Sequence, residues 1–188
     1  MQTKYETKRL LIQMLPESAA FQVLDFYLKN KEVFELYETD RSEQFYTEDY
    51  HRTLLRCEYN LAMRETSARY WVSEKENPQE IIGTFSFHNI RYQYYQSAEL
   101  GYKFDSCIWR KGYAKESIGR GLQAIFEEMR LHRIEALVQP ENEASIQLLL
   151  SLGFALEGIS RQNVKLHGRW QDHAVYSLLE SDYHYSSK

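Results

Sequence analysis

The sequence has few of the residues that mark several protein classes. Its two cysteines, Cys57 and Cys107, form no CxxC pair, which excludes a disulfide framework and a cysteine zinc site. With three prolines and eight glycines, it is neither collagen-like nor a Pro/Gly-rich disordered chain. The N-terminal apolar run LLIQML is too short for a secretory or membrane-spanning segment. We therefore expect a cytoplasmic protein without a membrane partner.

The chain also lacks an excess of positive charge. Lys and Arg total 23 against 27 Asp and Glu, for a net charge of −4, which argues against wide contact with nucleic-acid phosphates. The basic stretch 110–133 leaves a nucleic-acid-binding domain as the least favoured alternative. Walker A, HExxH and GxSxG motifs are absent. The 188 residues, 43% of them hydrophobic and 27% charged, predict one folded domain over residues 1–188.

Apolar periodicity predicts alternating strands and helices, typical of a mixed α/β fold. Thr47 is placed to cap a helix with the apolar stripe Tyr50, Leu54, Cys57 and Leu61. Asn142 begins another helix, and Gly153 ends it. Residues 164–169 are predicted to link the last two strands. The predicted strands are 8–14, 70–74, 81–88, 97–104, 133–139, 154–163 and 170–179, and helices are predicted to start at 17, 47, 113 and 142.

Two strands and the helix between them form a βαβ unit. Strands 97–104 and 133–139 are therefore predicted to be parallel, with a right-handed crossover through helix 113–130. Because strand side chains alternate between faces, Glu99 points away from the face that holds Leu100.

The segment WRKGYAKES, residues 109–117, leads into the helix of this unit. Free N–H groups in a first helical turn and the helix dipole suit a phosphate group. Cationic side chains add to this, namely Arg110, Lys111 and Lys115. Spacing of this kind is, taken alone, more typical of an ordinary loop.

The stretch ELGYKFDSCIWRKGYAKES, followed by QPENEASIQLLLSLGF, resembles the GNAT superfamily of acyl-CoA-dependent N-acetyltransferases. The similarity is to its RimJ/RimL-like branch of ribosomal-protein N-terminal acetyltransferases. It extends from the opening TKRLLIQML to the C-terminal HGRWQDHAVYSLL. The resemblance implies the GNAT fold, a mixed and mostly antiparallel sheet flanked by helices, in which two parallel strands splay apart. Acetyl-CoA is the implied cosubstrate.

The resemblance also implies which residues bind the coenzyme. The superfamily's pyrophosphate motif, Gln/Arg-x-x-Gly-x-Gly/Ala, aligns with Trp109, Arg110, Lys111, Gly112, Tyr113 and Ala114. Trp at the first position departs from the superfamily but is common in this branch, so main-chain N–H groups would hold most of the phosphate. The pantetheine arm would bind like an added strand to the backbones of Tyr102, Lys103 and Phe104. Asn142 would contact the pantetheine or hold the end of the following strand, or it would only cap its helix.

Glu99 is the first candidate for a catalytic base, because a carboxylate near the cleft can take the amine's proton directly or through water. An exposed ion pair is the alternative interpretation of Glu99, and His88 is the alternative base. Many GNAT enzymes protonate the leaving thiolate with a Tyr seven residues after the Asn, but Leu149 stands there. Ser145, which matches the branch, would hydrogen-bond the coenzyme sulfur or else only its own helix backbone.

The implied reaction is direct attack of a primary amine on acetyl-CoA in a ternary complex, without an acyl-Cys107 intermediate. An α-amine with a pKa of about 7.7–8.0 costs about 1 kcal/mol to deprotonate at pH 7, against roughly 4–5 kcal/mol for a lysine. This favours a protein N-terminus as acceptor, with a small amine, a polyamine or an aminoglycoside as alternatives. The alternative to an enzyme is a non-catalytic acyl-CoA sensor, because Leu149 replaces the tyrosine that usually protonates the thiolate.

The remaining polar and aromatic clusters favour plainer interpretations. We predict no metal, because no well-spaced third ligand accompanies the hairpin residues His167, Asp172 and His173. Packing on an edge strand is favoured over an acceptor pocket for Tyr92, Tyr94 and Tyr95. These tyrosines and the C-terminal hairpin are compatible with a homodimer.

Overall fold

One eight-stranded mixed sheet, in the order β1-β2-β3-β4-β5-β6-β8-β7, forms the centre of the fold. The computed structural model describes residues 1–39 and 41–186. The strands are β1 (Lys4–Glu6), β2 (Leu10–Gln13), β3 (Ala68–Glu74), β4 (Asn77–Arg91), β5 (Ser97–Phe104), β6 (Arg133–Val138), β7 (Ala155–Leu166) and β8 (Arg169–Leu179). The helices are α1 (Ala20–Lys29), α2 (Lys31–Glu35), α3 (Glu48–Met63), α4 (Tyr113–Glu127), α5 (Glu143–Ser151) and α6 (Glu180–Ser186).

The strands β5 and β6 form the parallel pair of this sheet, and the other neighbouring strands are antiparallel. The pairing of β5 with β6 covers three positions and ends where Glu99 faces Glu135. Beyond that point β6 continues to pair with β8 as far as Val138, while β5 continues to pair with β4 as far as Phe104. The predicted mixed sheet with a splayed parallel pair is confirmed.

Helices α4 and α5 cover one face of the sheet and enclose the larger hydrophobic core. Helix α4 contributes Ile118, Leu122 and Ile125, which are fully buried. Gly121 allows this close packing, since a Cβ atom there would lie 2.5 Å from a ring carbon of Phe85. The helix therefore lies directly on β4, beside the parted strands.

Helices α1 and α3 cover the opposite face over β3 and β4, around the buried Trp71. The predicted stripe on α3 is wrong at Cys57 and Leu61, which are exposed, whereas Tyr50 does pack against this core. The fully buried residues of the helix are His51 and Leu55. The His51 ring stacks on the Tyr27 ring of α1 with centroids 5.2 Å apart. Packing against the aromatic residues of α1 therefore buries a different side of α3 from the one that the spacing of its apolar residues predicts. Thr47 does cap this helix, and its side chain accepts a hydrogen bond from the Tyr50 N–H.

Short and exposed elements account for the other differences from the predicted secondary structure. The patterns did not predict β1, α2 or α6. Strands β7 and β8 continue through the predicted linking segment, so that only His167 and Gly168 form the turn. Among residues 1–39 and 41–186, no helix is both long enough and apolar enough to cross a membrane.

Candidate coenzyme cleft and active site

The gap between β5 and β6 is the central feature of the candidate site. After Glu99, the last β5 residue paired with β6, the β5 backbone over residues 100–104 has strand β4 on one side and no strand on the other. Unpaired edges of this kind accept an added strand or a ligand arm with amide groups. The start of α4 lies beyond the end of β5, and the start of α5 follows β6.

The loop before α4 leads into a helix start that no side chain caps. Gly112, the N-cap residue, has a left-handed φ of 80°, and Arg110 is also left-handed with φ 62°. No side chain caps the helix, so the N–H groups of its first turn remain available to an anion. The side chains of Arg110, Lys111 and Lys115 are exposed. Turns that alternate between right- and left-handed residues are known anion-binding geometries.

Trp109, the residue that departs from the superfamily motif, ties this loop to the end of β5. Its indole Nε1–H donates to the Phe104 carbonyl oxygen at 3.0 Å. This hydrogen bond holds the loop, while the Trp109 side chain stays 47% exposed.

Arg9, which the sequence did not single out, stabilises the loop before α4 through hydrogen bonds. Its Nη1 donates to the Lys111 carbonyl at 3.0 Å, and its Nε donates to the Glu116 carboxylate at 2.7 Å. The guanidinium carbon also lies 4.3 Å from the centre of the Tyr113 ring. Partial burial would raise the pKa of Glu116, but hydrogen bonds from Thr7 and Arg9 hold it below its ordinary value. Glu116 therefore remains ionised and anchors Arg9.

We expect Arg9→Gln to weaken coenzyme A binding several-fold, because exposed charge-assisted hydrogen bonds contribute about 1 kcal/mol or somewhat more. Isothermal titration with coenzyme A measures the change. Arg52→Gln is the matched control, since Arg52 is another exposed arginine with two carboxylate partners, Glu48 and Asp49, on α3. Equal affinity in Arg9→Gln and the wild type would show that the brace does not matter for binding.

Glu99 lies at the point where β5 and β6 part. Its carboxylate accepts a hydrogen bond from Asn89 Nδ2 at 3.0 Å, and the His88 Nε2 atom is 3.5 Å away. Burial lowers the pKa of His88 below 6.5, and the nearby Glu99 charge opposes that shift. His88 is therefore neutral at pH 7, and both candidate bases lie in one cluster.

Two carboxylates near Glu99, those of Glu135 and Glu157, are paired with an arginine, whereas Glu99 is not. Glu135 on β6 and Glu157 on β7 both accept hydrogen bonds from Arg133, at 2.8 and 2.7 Å. Within residues 1–39 and 41–186, no lysine or arginine forms an ion pair with Glu99. Glu99 is 26% exposed and keeps lone pairs free for an approaching proton donor.

Ser145, in the first turn of α5, contacts Tyr102 across the cleft through its hydroxyl and its carbonyl oxygen. The Asn142 side chain accepts a hydrogen bond from the Ser145 N–H at 3.1 Å. Asn142 therefore caps α5, which is one of the roles considered for it. The Ser145 Oγ lies 2.6 Å from the Tyr102 hydroxyl. Leu149 is fully buried in the larger core. The sequence assigned Tyr102 a role through its backbone and gave no indication of this side-chain contact.

The Lys103 side chain lies on the opposite face from Tyr102. Its ammonium forms an ion pair with Glu38 and lies 5.2 Å from the centre of the Tyr27 ring. Burial lowers the pKa of Lys103 to about 8, against the attraction of Glu38. This side chain fastens the segment between α2 and α3 to β5, so any contribution of Lys103 to the cleft comes from its backbone.

The hairpin and tyrosine clusters that the sequence set aside have other surroundings than predicted or no metal group. The Asp172 carboxylate accepts a hydrogen bond from the Gln162 N–H at 2.8 Å. Among the side chains that the structure describes, residues 1–39 and 41–183, no three or more His, Cys, Asp and Glu residues form a group that would hold a metal. The interpretation of the tyrosines as edge-strand packing is wrong, because residues 92–96 form the turn between β4 and β5 and Tyr94 is 97% exposed.

Comparison with known proteins identifies the family. The family described as "Acetyltransferase (GNAT) domain" matches residues 9–155. The probable N-acetyltransferase YjcK of Bacillus subtilis is 31% identical over 175 residues, covering 93% of this chain and 96% of the relative. The ribosomal protein uS5-alanine N-acetyltransferase of Escherichia coli is 27% identical over 178 residues, covering 94% of this chain and 91% of its own length.

A solved structure agrees with these matches along almost the whole chain. The ribosomal-protein-S5-alanine acetyltransferase from Vibrio fischeri superimposes with a TM-score of 0.90 at 27% identity, covering 97% of this chain and 99% of its own. The chain therefore belongs to the GNAT acetyltransferase family, with relatives among the RimJ/RimL-type ribosomal-protein acetyltransferases, and is an acetyl-CoA-dependent N-acetyltransferase.

Proposed function

We propose that this N-acetyltransferase acetylates the α-amine of a protein or peptide N-terminus, with Glu99 as the catalytic base. The observation that carries the proposal is the position of Glu99 at the end of the paired part of β5 and β6, without an arginine or lysine partner among the described residues. A carboxylate neutralised by a cation would be a poor proton acceptor, as Glu135 and Glu157 are beside Arg133.

The open cleft fits the two ends of coenzyme A. The uncapped start of α4 suits the diphosphate, and the free edge of β5 suits the amide-bearing pantetheine arm. The residues proposed to hold the diphosphate are Trp109, through its support of the loop, and Arg110, Lys111, Gly112, Tyr113 and Ala114. The residues proposed along the arm are Tyr102, Lys103 and Phe104, through their backbones, with Asn142 and Ser145 at the start of α5.

The free-energy cost of deprotonating the amine favours an acceptor that loses its proton easily. An α-amine needs about 1 kcal/mol to become neutral at pH 7, whereas a lysine side chain needs roughly 4–5 kcal/mol. Glu99 is a single carboxylate with the neutral His88 beside it. Such a site can deprotonate an α-amine more readily than a lysine side chain. The Escherichia coli and Vibrio fischeri relatives are named for the alanine of a ribosomal protein, which supports the same choice.

The transfer itself proceeds by direct attack. Glu99 accepts the proton that the amine nitrogen loses as it bonds to the acetyl carbon, directly or through one water. The β5 backbone orients the thioester beside it. On the exposed face around Glu99, Arg133 pairs with the carboxylates of Glu135 and Glu157, and Leu137 is exposed. The negative charge of Glu99, which has no lysine or arginine partner among the described residues, suits a cationic chain terminus better than an acidic one.

Incubation of the protein with labelled acetyl-CoA and a peptide library, read by mass spectrometry, tests the acceptor. Peptides with a free N-terminus are expected to gain one acetyl group at the α-amine. The same peptides with a formylated N-terminus and an internal lysine are the matched control and should stay unlabelled. Spermidine and an aminoglycoside in parallel reactions cover the small-amine alternatives. Labelling of lysine or of a small amine instead of the N-terminus would overturn the proposed acceptor.

We also propose that residues 1–188 act as one GNAT domain in the cytoplasm. One continuous sheet runs from β1 to β7, which supports a single domain. Cys57 and Cys107 are both free and exposed, and free exposed thiols are typical of proteins that work in a reducing compartment.

A further inference from the structure

We propose that Gly101 is a specificity-determining residue of the acceptor site, because the space left by its missing side chain admits the first residue of the acceptor peptide. The size of that first side chain is then limited at Gly101, beside the proposed base Glu99. This inference rests on the proposed function, since it concerns how the acceptor approaches Glu99.

Gly101 lies on the same face of β5 as Glu99. Side chains alternate along a strand, so the positions of Glu99, Gly101 and Lys103 share one face, whereas the Tyr102 side chain lies on the other and contacts α5. Positions two residues apart along a strand are about 6.5 Å apart. The Gly101 position is therefore the nearest place on this face of β5 for the part of an acceptor that follows its amine.

The Gly101 position is open on the side where β6 has parted from β5. The pairing of the two strands ends at Glu99, while β4 continues alongside, with Ser86 facing Gly101 and His88 facing Glu99. Gly101 itself is partly exposed. We call the space above Gly101, bordered by Glu99, Lys103, Ser86 and His88, the Gly101 notch.

Two other glycines of the chain are required by the protein's own packing. A Cβ atom at Gly83 would lie 2.1 Å from a ring carbon of Phe104, and one at Gly121 would lie 2.5 Å from a ring carbon of Phe85. In both places an aromatic ring occupies the volume that a side chain would need.

The structure contains no comparable reason for a glycine at position 101. The nearest atoms to a Cβ there would be His88 Cε1 at 3.3 Å and Ser86 Oγ at 3.7 Å, so no ring fills the space. The φ angle of Gly101 is not left-handed, and its pairing with β4 is in register. A glycine inside a strand weakens the strand, and one reason for its presence is the close approach of a ligand or another backbone.

The position of the base determines what occupies the Gly101 notch. To lose its proton directly to Glu99, the acceptor nitrogen must come within about 3 Å of the carboxylate. The α-carbon and first side chain of the acceptor then extend over Gly101. The ion pair of Lys103 with Glu38 limits the notch at its other end. A side chain at position 101 would fill this space without reaching the opposite face, where Tyr102 and α5 lie.

Steady-state kinetics of Gly101→Ala and Gly101→Val test the inference, with peptides that differ only in beginning with Gly, Ala or Val. An added methyl group in a filled site changes discrimination by about tenfold or more. We expect kcat/KM to fall by that factor in Gly101→Ala with the Ala peptide, less with the Gly peptide and more with the Val peptide. Gly101→Val should show larger losses. The Kd for coenzyme A, from isothermal titration, should stay at the wild-type value.

Gly119→Ala is the matched control. Gly119 lies on α4, and a Cβ atom there would meet only Leu152 Cδ2 at 4.0 Å, so this variant should keep the wild-type kcat/KM with every peptide. Thermal unfolding of both alanine variants checks that the fold is intact, and neither is expected to melt at a lower temperature than the wild type.

Three results would overturn the inference: a wild-type kcat/KM in Gly101→Ala with all the peptides, a loss that is the same for every first residue, or a loss of coenzyme A affinity that explains the slower rate. A loss independent of the first residue would indicate displacement of the His88 ring. If the wild type acetylates peptide α-amines and Gly101→Ala does so equally well, only this inference fails. If the wild type acetylates no peptide α-amine, the proposed function fails before any variant is compared, and this inference fails with it.

Discussion

Glu99→Gln is expected to lower kcat for acetyl transfer by about 100-fold or more, since a positioned general base contributes 10²–10⁴-fold. The glutamine keeps the shape of the side chain and can still accept the hydrogen bond from Asn89 Nδ2, but it cannot take a proton at neutral pH. The affinity for acetyl-CoA should not change, because the α4 loop that suits the diphosphate lies beyond the other end of β5. Release of free thiol with a saturating amine measures kcat, and isothermal titration measures binding.

Glu135→Gln provides the matched control for this experiment. Glu135 faces Glu99 directly across the two strands, but Arg133 holds its charge. We therefore expect at most a small change in kcat. His88→Gln addresses the alternative base. A larger loss in His88→Gln than in Glu99→Gln would transfer the role to the histidine, and unchanged turnover in Glu99→Gln would remove Glu99 as the base.

Gly112→Asp is expected to weaken acetyl-CoA binding by at least tenfold. Two effects add: a side chain at φ 80° is strained, and a carboxylate would repel the diphosphate. Two unit charges 4 Å apart repel by about 1 kcal/mol in water and about 4 kcal/mol near a protein surface. Space alone does not exclude the side chain, since a Cβ atom would lie 3.5 Å from Arg9 Nη2, an ordinary contact.

Gly112→Asn separates the charge from the backbone strain. Asn has nearly the same shape as Asp and tolerates the left-handed region equally well. We therefore expect Gly112→Asn to bind acetyl-CoA more tightly than Gly112→Asp, with a difference that shrinks as salt screens the repulsion. Titrations of both variants at low and high salt measure this. Undiminished affinity in Gly112→Asp would show that the start of α4 does not hold the diphosphate.

The sequence predicted the β5–α4–β6 unit closely because its signals are local. Alternation over residues 97–104 predicts β5 with its observed bounds, and the change to helical periodicity after Gly112 gives the observed start of α4. A face assignment that depended on packing was wrong on α3. There His51 and Leu55 are buried instead of the predicted Cys57 and Leu61, because stacking of His51 against Tyr27 determines which side of the helix is buried.

Contacts between residues far apart in the chain could not be predicted from spacing. Arg9 and Glu116 are 107 residues apart, and Tyr102 and Ser145 are 43 apart. Each pair is brought together by strand order and helix placement. The opening TKRLL was part of the resemblance to the family, but nothing in that segment indicates which loop Arg9 supports.

The sequence alone thus determined the kind of protein: one mixed α/β chain with a glycine loop before an amphipathic helix and the pattern of a GNAT acetyltransferase. Periodicity, capping and turn residues act over a few neighbours, so they can be recognised without coordinates. The tertiary structure decided where β5 and β6 part, which carboxylates Arg133 neutralises and which hydroxyl reaches Ser145. Those features depend on the free energy of packing between distant segments, and that energy is fixed only when the whole sheet has formed.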